Sequence, residues 1–343
     1  MSWGTLNSSK NEVRRAGDFL ISEWGKFEEQ KYIESYEILV NWRSSHAYPM
    51  QSMIAHFRNK SFEIDKHAVI VQRLKRLPSI LTKLTRENGM RLDRIEDIAG
   101  CRIVVENIRN VHNVRDNIVN SRTGNILRRE RDYIRSPKDS GYRGIHLIYK
   151  YNGQKFKFSG HCVELQIRSK VQHSWATAVE VVGTFTNQAL KASQGTDDWL
   201  RFFKVASIAF TDLEYGKTRK NRDTKERAEL RNYAKLLSVL ERLQLFSVTT
   251  QHLGLNSNNK GDYFLLMLDT ALSKITFNRY PQTGLVAANE RYAELEQEYK
   301  DDPTKDVVLV SATSIHDLKK AYPNYFSDTT NFSRYLSKVL STT

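Results

Sequence analysis

Between residues 73 and 173 the chain carries a dense set of groups able to handle phosphate: Arg73, Lys75, Ser79, Lys83, Asp97, Arg102, Lys138, Tyr142, His146, Glu164, Gln166, Arg168 and His173. Cations beside two carboxylates suit a magnesium–polyphosphate site. Mg²⁺ is held by one or two carboxylates plus substrate oxygens, while Lys and Arg offset the remaining charge. In CVELQIR (162–168), Val163, Leu165 and Ile167 alternate with Glu164, Gln166 and Arg168. A strand puts the first set in a core and gathers carboxylate, amide and guanidinium on the other face. Asp97 stands just before a second strand candidate, Cys101–Glu106, and neighbouring strands would let Asp97 and Glu164 share one metal. In RDYIRSPKDSGYRGIH (131–146), Pro137, Gly141 and Gly144 mark a constrained basic loop whose Tyr142 offers a ring face to a base. Taken singly, each residue also has a structural reading, as part of a polar sheet face or as a tyrosine packed over a sheet end.

The elements that must position these groups are legible in outline. Pro78 suits the first turn of a helix, so RLKR (73–76) leads into a helix of roughly 78–87 with Ser79, Lys83 and Arg86 on one face. Ile145–Tyr151 is a third strand candidate. Leu20, Trp24 and Phe27, then Tyr32, Tyr36 and Leu39, recur at helical spacing. Helical pattern resumes near His173 and runs through Trp199–Leu213. Beyond the charged stretch KTRKNRDTKER (217–227), the chain reads as helix over 226–247, a Gly/Asn-rich loop, a mixed segment, a strand at 306–312 and a closing helix near 331–340.

Composition bounds the class. The chain has 343 residues, 40% of them hydrophobic, and 27% are charged. That length suits two domains, and the composition excludes disordered and collagen-like chains. No apolar run approaches a membrane span, and the first residues lack the apolar core of a signal peptide. Cys101 and Cys162 alone supply neither a disulfide framework nor a cysteine-based zinc finger, which points to a reducing cytoplasm. The net charge of +14 is uneven: residues 1–225 hold 39 basic against 25 acidic side chains, and residues 226–343 hold 14 of each. Such a field attracts nucleotides and nucleic acid, although a solubility charge is the plain alternative. P-loop, dinucleotide-fold and protein-kinase signatures are absent.

The order RLKRLPSILTKL, EDIAGCRIV, RDYIRSPKDSGYRGIH, VELQIRSKVQHSWA resembles the RelA/SpoT synthetase domain over about residues 70–180. The resemblance implies an α+β fold with a nucleotidyltransferase-like mixed sheet of about five strands flanked by helices. It implies transfer of the β,γ-diphosphate of ATP to a ribose 3′-hydroxyl, with release of AMP and Mg²⁺ as cofactor. By the same resemblance, Arg73 and Arg102 flank the adenine or reach the phosphates, and Lys75, Ser79 and Lys83 hold the triphosphate. Asp97 binds Mg²⁺; Glu164 shares the metal and acts as general base. Tyr142 stacks on the acceptor base, with Lys138, His146, Gln166 and Arg168 positioning the acceptor. Gly144 departs from the pattern, which often has serine there. The His316–Asp317 pair lacks the companion histidines of a hydrolase.

The segment LKKAYPNYFSDTTNF (318–332) places Tyr322 and Tyr325 in a Tyr-x-x-Tyr element around a Pro-Asn turn. It resembles the C-terminal element of CapRel-type fused toxin–antitoxin proteins. That resemblance implies a pyrophosphokinase domain at 1–225 and a small, mainly helical regulatory domain at 226–343, like a zinc finger without its metal. Tyr322 and Tyr325 would be autoinhibitory, tRNA the acceptor, and a phage protein the trigger. A (p)ppGpp synthetase acting on GDP or GTP is the alternative, and a sensor working through partner binding alone is a third reading.

Overall fold

The computed structural model describes residues 6–22, 30–153, 155–186, 188, 190, 194–216, 225–249, 262–269, 274–299, 302, 305–312 and 329–341. Its centre is one sheet built from β1 (Val69–Leu74), β2 (Ala99–Val105), β3 (Ile126–Asp132), β4 (Ile145–Lys150), β5 (Cys162–Ser169), β6 (Asp262–Asp269), β7 (Lys274–Tyr280) and β8 (Lys305–Ala312). The order across the sheet is β3-β4-β5-β2-β1-β8-β6-β7. β2 and β5 run parallel and every other pair is antiparallel, so the sheet is mixed, as expected. It has eight strands rather than about five. The shortfall has physical causes. β3 is an edge strand, ILRRERD, exposed enough to show no alternation. β6 is a near-continuous apolar run, a pattern that does not separate strand from buried helix.

Alternation in β5 sets the layers. Val163, Leu165 and Ile167 join Cys101, Ile103 and Val105 of β2 and Ile145 and Leu147 of β4 in a core. That core is closed by α3 (Ala47–Phe62), through Met53, Ile54 and Phe57, and by α5 (Ile108–Val119), through Val111, Val114 and Ile118. A second core joins α1 (Lys10–Ser22), α2 (Gln30–Ser45) and α4 (Leu77–Arg86) through Val13, Leu20, Leu39, Trp42, Ile80, Leu81 and Leu84. Helix α4 begins at Leu77, with Pro78 in its first turn where a missing N–H costs nothing.

The third core crosses residue 225, where a domain boundary is expected from the sequence. It joins α6 (Lys170–Phe185) and α7 (Asp197–Glu214) to α8 (Lys225–Leu236), α9 (Val239–Thr249) and α11 (Thr330–Ser341). The expected single helix 226–247 is two helices, broken where Ser238 takes φ +46°. Phe332 of α11 is fully buried, its ring 5.3 Å from Phe210, 6.1 Å from Phe203 and 6.3 Å from Phe202. Strands β6–β8 meanwhile extend the sheet through the β8–β1 pairing Gln72↔Ser311 and Arg73↔Val310, and α10 (Leu285–Glu298) packs on β6 and β8. Nothing in the described residues supports the zinc-finger likeness. Tyr322, Tyr325 and His316–Asp317 lie outside the described residues. Among the described residues, no helix is long and apolar enough to cross a membrane. Phe332→Ala is expected to destabilise the whole chain by about 3–5 kcal/mol, read as one cooperative urea transition; a loss confined to residues after 225 would contradict the shared core.

Candidate active site

Register places the candidate side chains in rows on the sheet face opposite α3 and α5. Directly paired residues share a face. One row runs Arg73–Gly100–Glu164–Ile148 across β1, β2, β5 and β4, and the next runs Val71–Arg102–Gln166–His146–Arg131. Gly100 contributes no side chain, which leaves a gap between Arg73 and Glu164.

Around Glu164 the polar groups close a hydrogen-bonded ring. The Arg168 Nε donates to Tyr142 Oη at 3.1 Å, and Tyr142 Oη lies 2.5 Å from His146 Nε2. His146 Nδ1 lies 2.9 Å from Glu164 Oε1. Gln166 Nε2 donates to Glu164 Oε2 at 2.7 Å, and its Oε1 accepts from Arg168 at 2.9 Å. One tautomer satisfies every link: Tyr142 donates to Nε2 and the Nδ1–H donates to Glu164, an assignment inferred from the network. Glu164 is 7% exposed. Burial alone would raise its carboxyl; His146, Gln166 and Lys75 outweigh that and hold it well below the usual carboxylate range. Each carboxylate oxygen keeps a lone pair for a substrate or metal.

The loop before β4 is pinned from α7. Arg143 forms a buried ion pair with Glu214 at 2.6 Å, and Ser207 Oγ donates to the Gly141 carbonyl at 2.5 Å. Gly144 has φ +152°, and a Cβ there would lie 3.3 Å from Tyr142 Oη, Arg168 Cγ and the Ile167 carbonyl. The departure noted in the sequence is therefore what seats Tyr142 on His146. The Tyr142 ring is met by Arg168 at 5.0 Å and Lys138 at 5.3 Å.

On the other side of the Gly100 gap, Asp97 accepts from Lys75 at 2.9 Å and Lys83 at 3.0 Å. Burial pushes its carboxyl up, the two ammonium groups pull it down further, and the Glu164 charge opposes them; the balance lies below the ordinary value. Among the described residues no three His, Cys, Asp or Glu converge on a metal position. Two carboxylates in mutual electrostatic range nevertheless fit Mg²⁺, which completes its shell with waters and substrate phosphates rather than an all-protein cage. Ser79 lies in the first turn of α4, beside Lys75. The structure thus gathers Lys138, Tyr142, His146, Glu164, Gln166 and Arg168 on one side and Lys75, Lys83 and Asp97 on the other, with Arg73 in the row of Glu164 and Arg102 in that of Gln166.

Several supporting residues escape a sequence reading. Buried Arg43 donates to the Lys75 carbonyl at 2.6 Å and lies 4.6 Å from the Tyr292 ring. Glu296 of α10 accepts the Leu77 N–H at 3.3 Å, at the start of α4, and also accepts from Tyr292 Oη. The contact spans 219 residues, so no local pattern announces it. Glu214, seated 45 residues after Ser169, is invisible for the same reason.

The motif region is similar in sequence to known proteins. Residues 72–185 match the family described as "Region found in RelA / SpoT proteins". The chain is 32% identical over 111 residues to GTP pyrophosphokinase YjbM of Bacillus subtilis, covering 32% of this chain and 52% of that protein. It is 32% identical over 112 residues to GTP pyrophosphokinase YwaC of the same organism, covering 31% and 52%. The matched part thus spans about half the length of these relatives. Among solved structures, small alarmone synthetase 2 from Bacillus subtilis superposes with a TM-score of 0.44 at 25% identity, over 52% of this chain and 94% of that one.

Two outcomes follow from the site. Glu164 and Asp97 titrate lower in the fold than in an unfolded chain, so their stabilisation is complete above the ordinary carboxylate range, about pH 4, and is lost as pH falls toward the folded values. Urea midpoints should drop below that pH, and the drop should be shallower in Glu164→Gln/Asp97→Asn; an identical acid limb would contradict the assignment. Gly144→Ser should cost about 1–3 kcal/mol by the same measurement and displace Tyr142 from His146, visible as a changed His146 side-chain NMR signal. An unshifted His146 signal would place the new Cβ elsewhere.

Proposed function

We propose that this chain is a pyrophosphokinase that transfers the β,γ-diphosphate of ATP to the 3′-hydroxyl of a guanosine nucleotide, releasing AMP and making (p)ppGpp. The observation that carries the reading is an ionised, ring-held Glu164 set across the Gly100 gap from Lys75, Lys83 and Asp97. Lys75, Ser79 and Lys83 bind the triphosphate, with Arg73 and Arg102 at the adenine or phosphates. Asp97 and Glu164 would hold Mg²⁺, which when bound offsets charge on the transferring group. Lys138, Tyr142, His146, Gln166 and Arg168 seat the acceptor, with Tyr142 against its base.

Glu164 orients the 3′-hydroxyl and accepts its proton. A carboxylate held so firmly ionised is a weak base, so most of the rate comes from placing hydroxyl and diphosphate in line within a field that offsets the developing charge. His146 keeps Oε1 oriented through its Nδ1–H bond, which weakens as Glu164 takes up the proton.

The likeness to two GTP pyrophosphokinases over the motif region supports a guanine nucleotide as acceptor, and reverses the preference for tRNA drawn from the sequence. The tRNA 3′ end remains a second reading because the whole +14 excess lies in residues 1–225 and a polyanion engages many cations at once. On that reading residues 226–343 restrain the enzyme through Tyr322 and Tyr325 until a phage protein binds. The full chain, given γ-labelled ATP with GDP, GTP or deacylated tRNA, is expected to label the guanine nucleotide. Glu164→Gln should lower transfer by about 10²–10⁴-fold. Label on tRNA alone would select the second reading, and transfer unaffected by Glu164→Gln would remove both.

A further inference from the structure

A cavity of about 420 Å³ opens on the catalytic face of the sheet, away from the groups used above. It lies between the end of α2, the turn at residues 93–95 and the β3–β4–β5 edge. Its nearest wall residue on β5 is Cys162, two residues before Glu164 and therefore on the same face, about 7 Å along the strand. Cys162 pairs with Lys150, and Lys150 with Ile126, forming the next row of the sheet beyond that of Glu164.

The cavity is cationic and its cations are unspent. Lys10, Arg94 and Lys150 line it, and none of the three forms an ion pair with the described residues. The first and last converge on one point: a Cβ at Gly160 would lie 3.4 Å from Lys10 Nζ and 3.3 Å from Lys150 Cε. Arg128 completes the wall and continues into Arg129 and Arg131 along the edge strand β3, all three 40–50% exposed. These three share a single carboxylate, Glu96, at 3.4–3.6 Å. Six cations thus face two carboxylates, Glu96 and Asp93. The floor also holds unsatisfied polar atoms. Trp42, 3% exposed, lines the cavity with its indole Nε1 unpartnered, a donor open to an oxygen, whereas Asp93 Oδ1, also buried without a partner, is an acceptor that opposes an anion. A buried donor without an acceptor costs free energy until an oxygen reaches it.

We propose that this cavity and the β3 arginines together form a track for the phosphodiester backbone of an RNA, which enters at Lys10, Arg94 and Lys150 and runs along β3 toward the catalytic face. A single nucleotide would use two or three of these charges. Six cations spread along an exposed edge and a cavity fit a chain of phosphates. The inference extends the polynucleotide reading of the acceptor, but binding alone tests it, so it stands or falls separately from what receives the diphosphate.

The probe is a fluorescein-labelled deacylated tRNA, titrated by anisotropy against the full chain from 50 to 300 mM NaCl. Lys10→Gln/Arg94→Gln/Lys150→Gln is expected to lower the slope of log K against log salt by about 2–3. Transfer to GDP should stay within about twofold, since these residues lie away from the groups assigned to ATP and GDP and that transfer reports a folded enzyme. An unchanged slope overturns the proposal. So does equilibrium dialysis in which the variant loses a second equivalent of bound GTP while keeping its tRNA slope, because the cavity would then serve a mononucleotide. A measurement without substitutions is acetylation footprinting: tRNA should protect Lys10 and Lys150 where ATP and GDP do not, and equal labelling with and without tRNA counts against the track. If tRNA binds with the expected slope but takes no label, the acceptor reading fails and the track remains.

Discussion

The residues around the candidate site are arranged about one costly act, the burial of the Glu164 carboxylate. An anion taken out of water costs several kcal/mol unless paired and hydrogen-bonded. Here the cost is offset by a ring in which every donor has an acceptor: Arg168, Tyr142, His146 and Gln166 close on the two carboxylate oxygens. A half-satisfied version would be worse than an apolar face, so the ring imposes conditions outward. His146 must lie opposite Gln166, which the β4–β5 register provides. Tyr142 must reach back over Gly144, which requires a residue without a Cβ at φ +152°. The loop carrying both must be immobile, which Arg143, Glu214 and Ser207 secure from α7.

The donor side follows a different logic. Lys75, Lys83 and Asp97 are each 20–23% exposed and satisfy one another. These pairs are part-buried, and Asp97 holds its charge against burial through the two ammonium groups that face it. On the proposed function, a phosphate arriving at the two ammonium groups would free Asp97 for a cation, whereas the Glu164 ring has nothing to give up. The site therefore combines a fixed half that orients and an adjustable half that accepts charge, separated by the gap at Gly100.

What the sequence made legible follows from range. The β5 alternation, the helix begun near Pro78 and the loop glycines are local signals, and each sits where the residues put it. The Asp97–Lys75 contact was not legible: spacing pairs Asp97 with Glu164 instead, and the family likeness gives Lys75 to the triphosphate. Nor were contacts spanning tens to hundreds of residues. Glu214 carries no sign that it pairs with Arg143, and Glu296 none that it meets Leu77. The edge strand β3 hid for the opposite reason: its residues are exposed or half-buried and none is fully buried, so burial wrote no pattern into it. That same exposure leaves its arginines available.

The placement of the C-terminal residues changes what regulation can mean here. Strand β8 hydrogen-bonds to β1 at Arg73, and Glu296 takes the first N–H of α4, the helix that carries Ser79 and Lys83. Arg43 ties the intervening Lys75 carbonyl to the Tyr292 ring. Three contacts from residues after 225 thus converge on the single segment 73–77. Coupling between sites needs a contiguous element that both sides bias, and this segment is one. On the proposed function, a partner gripping β6–β8 or α10 would act first on the segment assigned to the donor phosphates, while the Glu164 ring is braced separately from α7. Phe332 in turn ties the C-terminal part to α6 and α7 through the core they share.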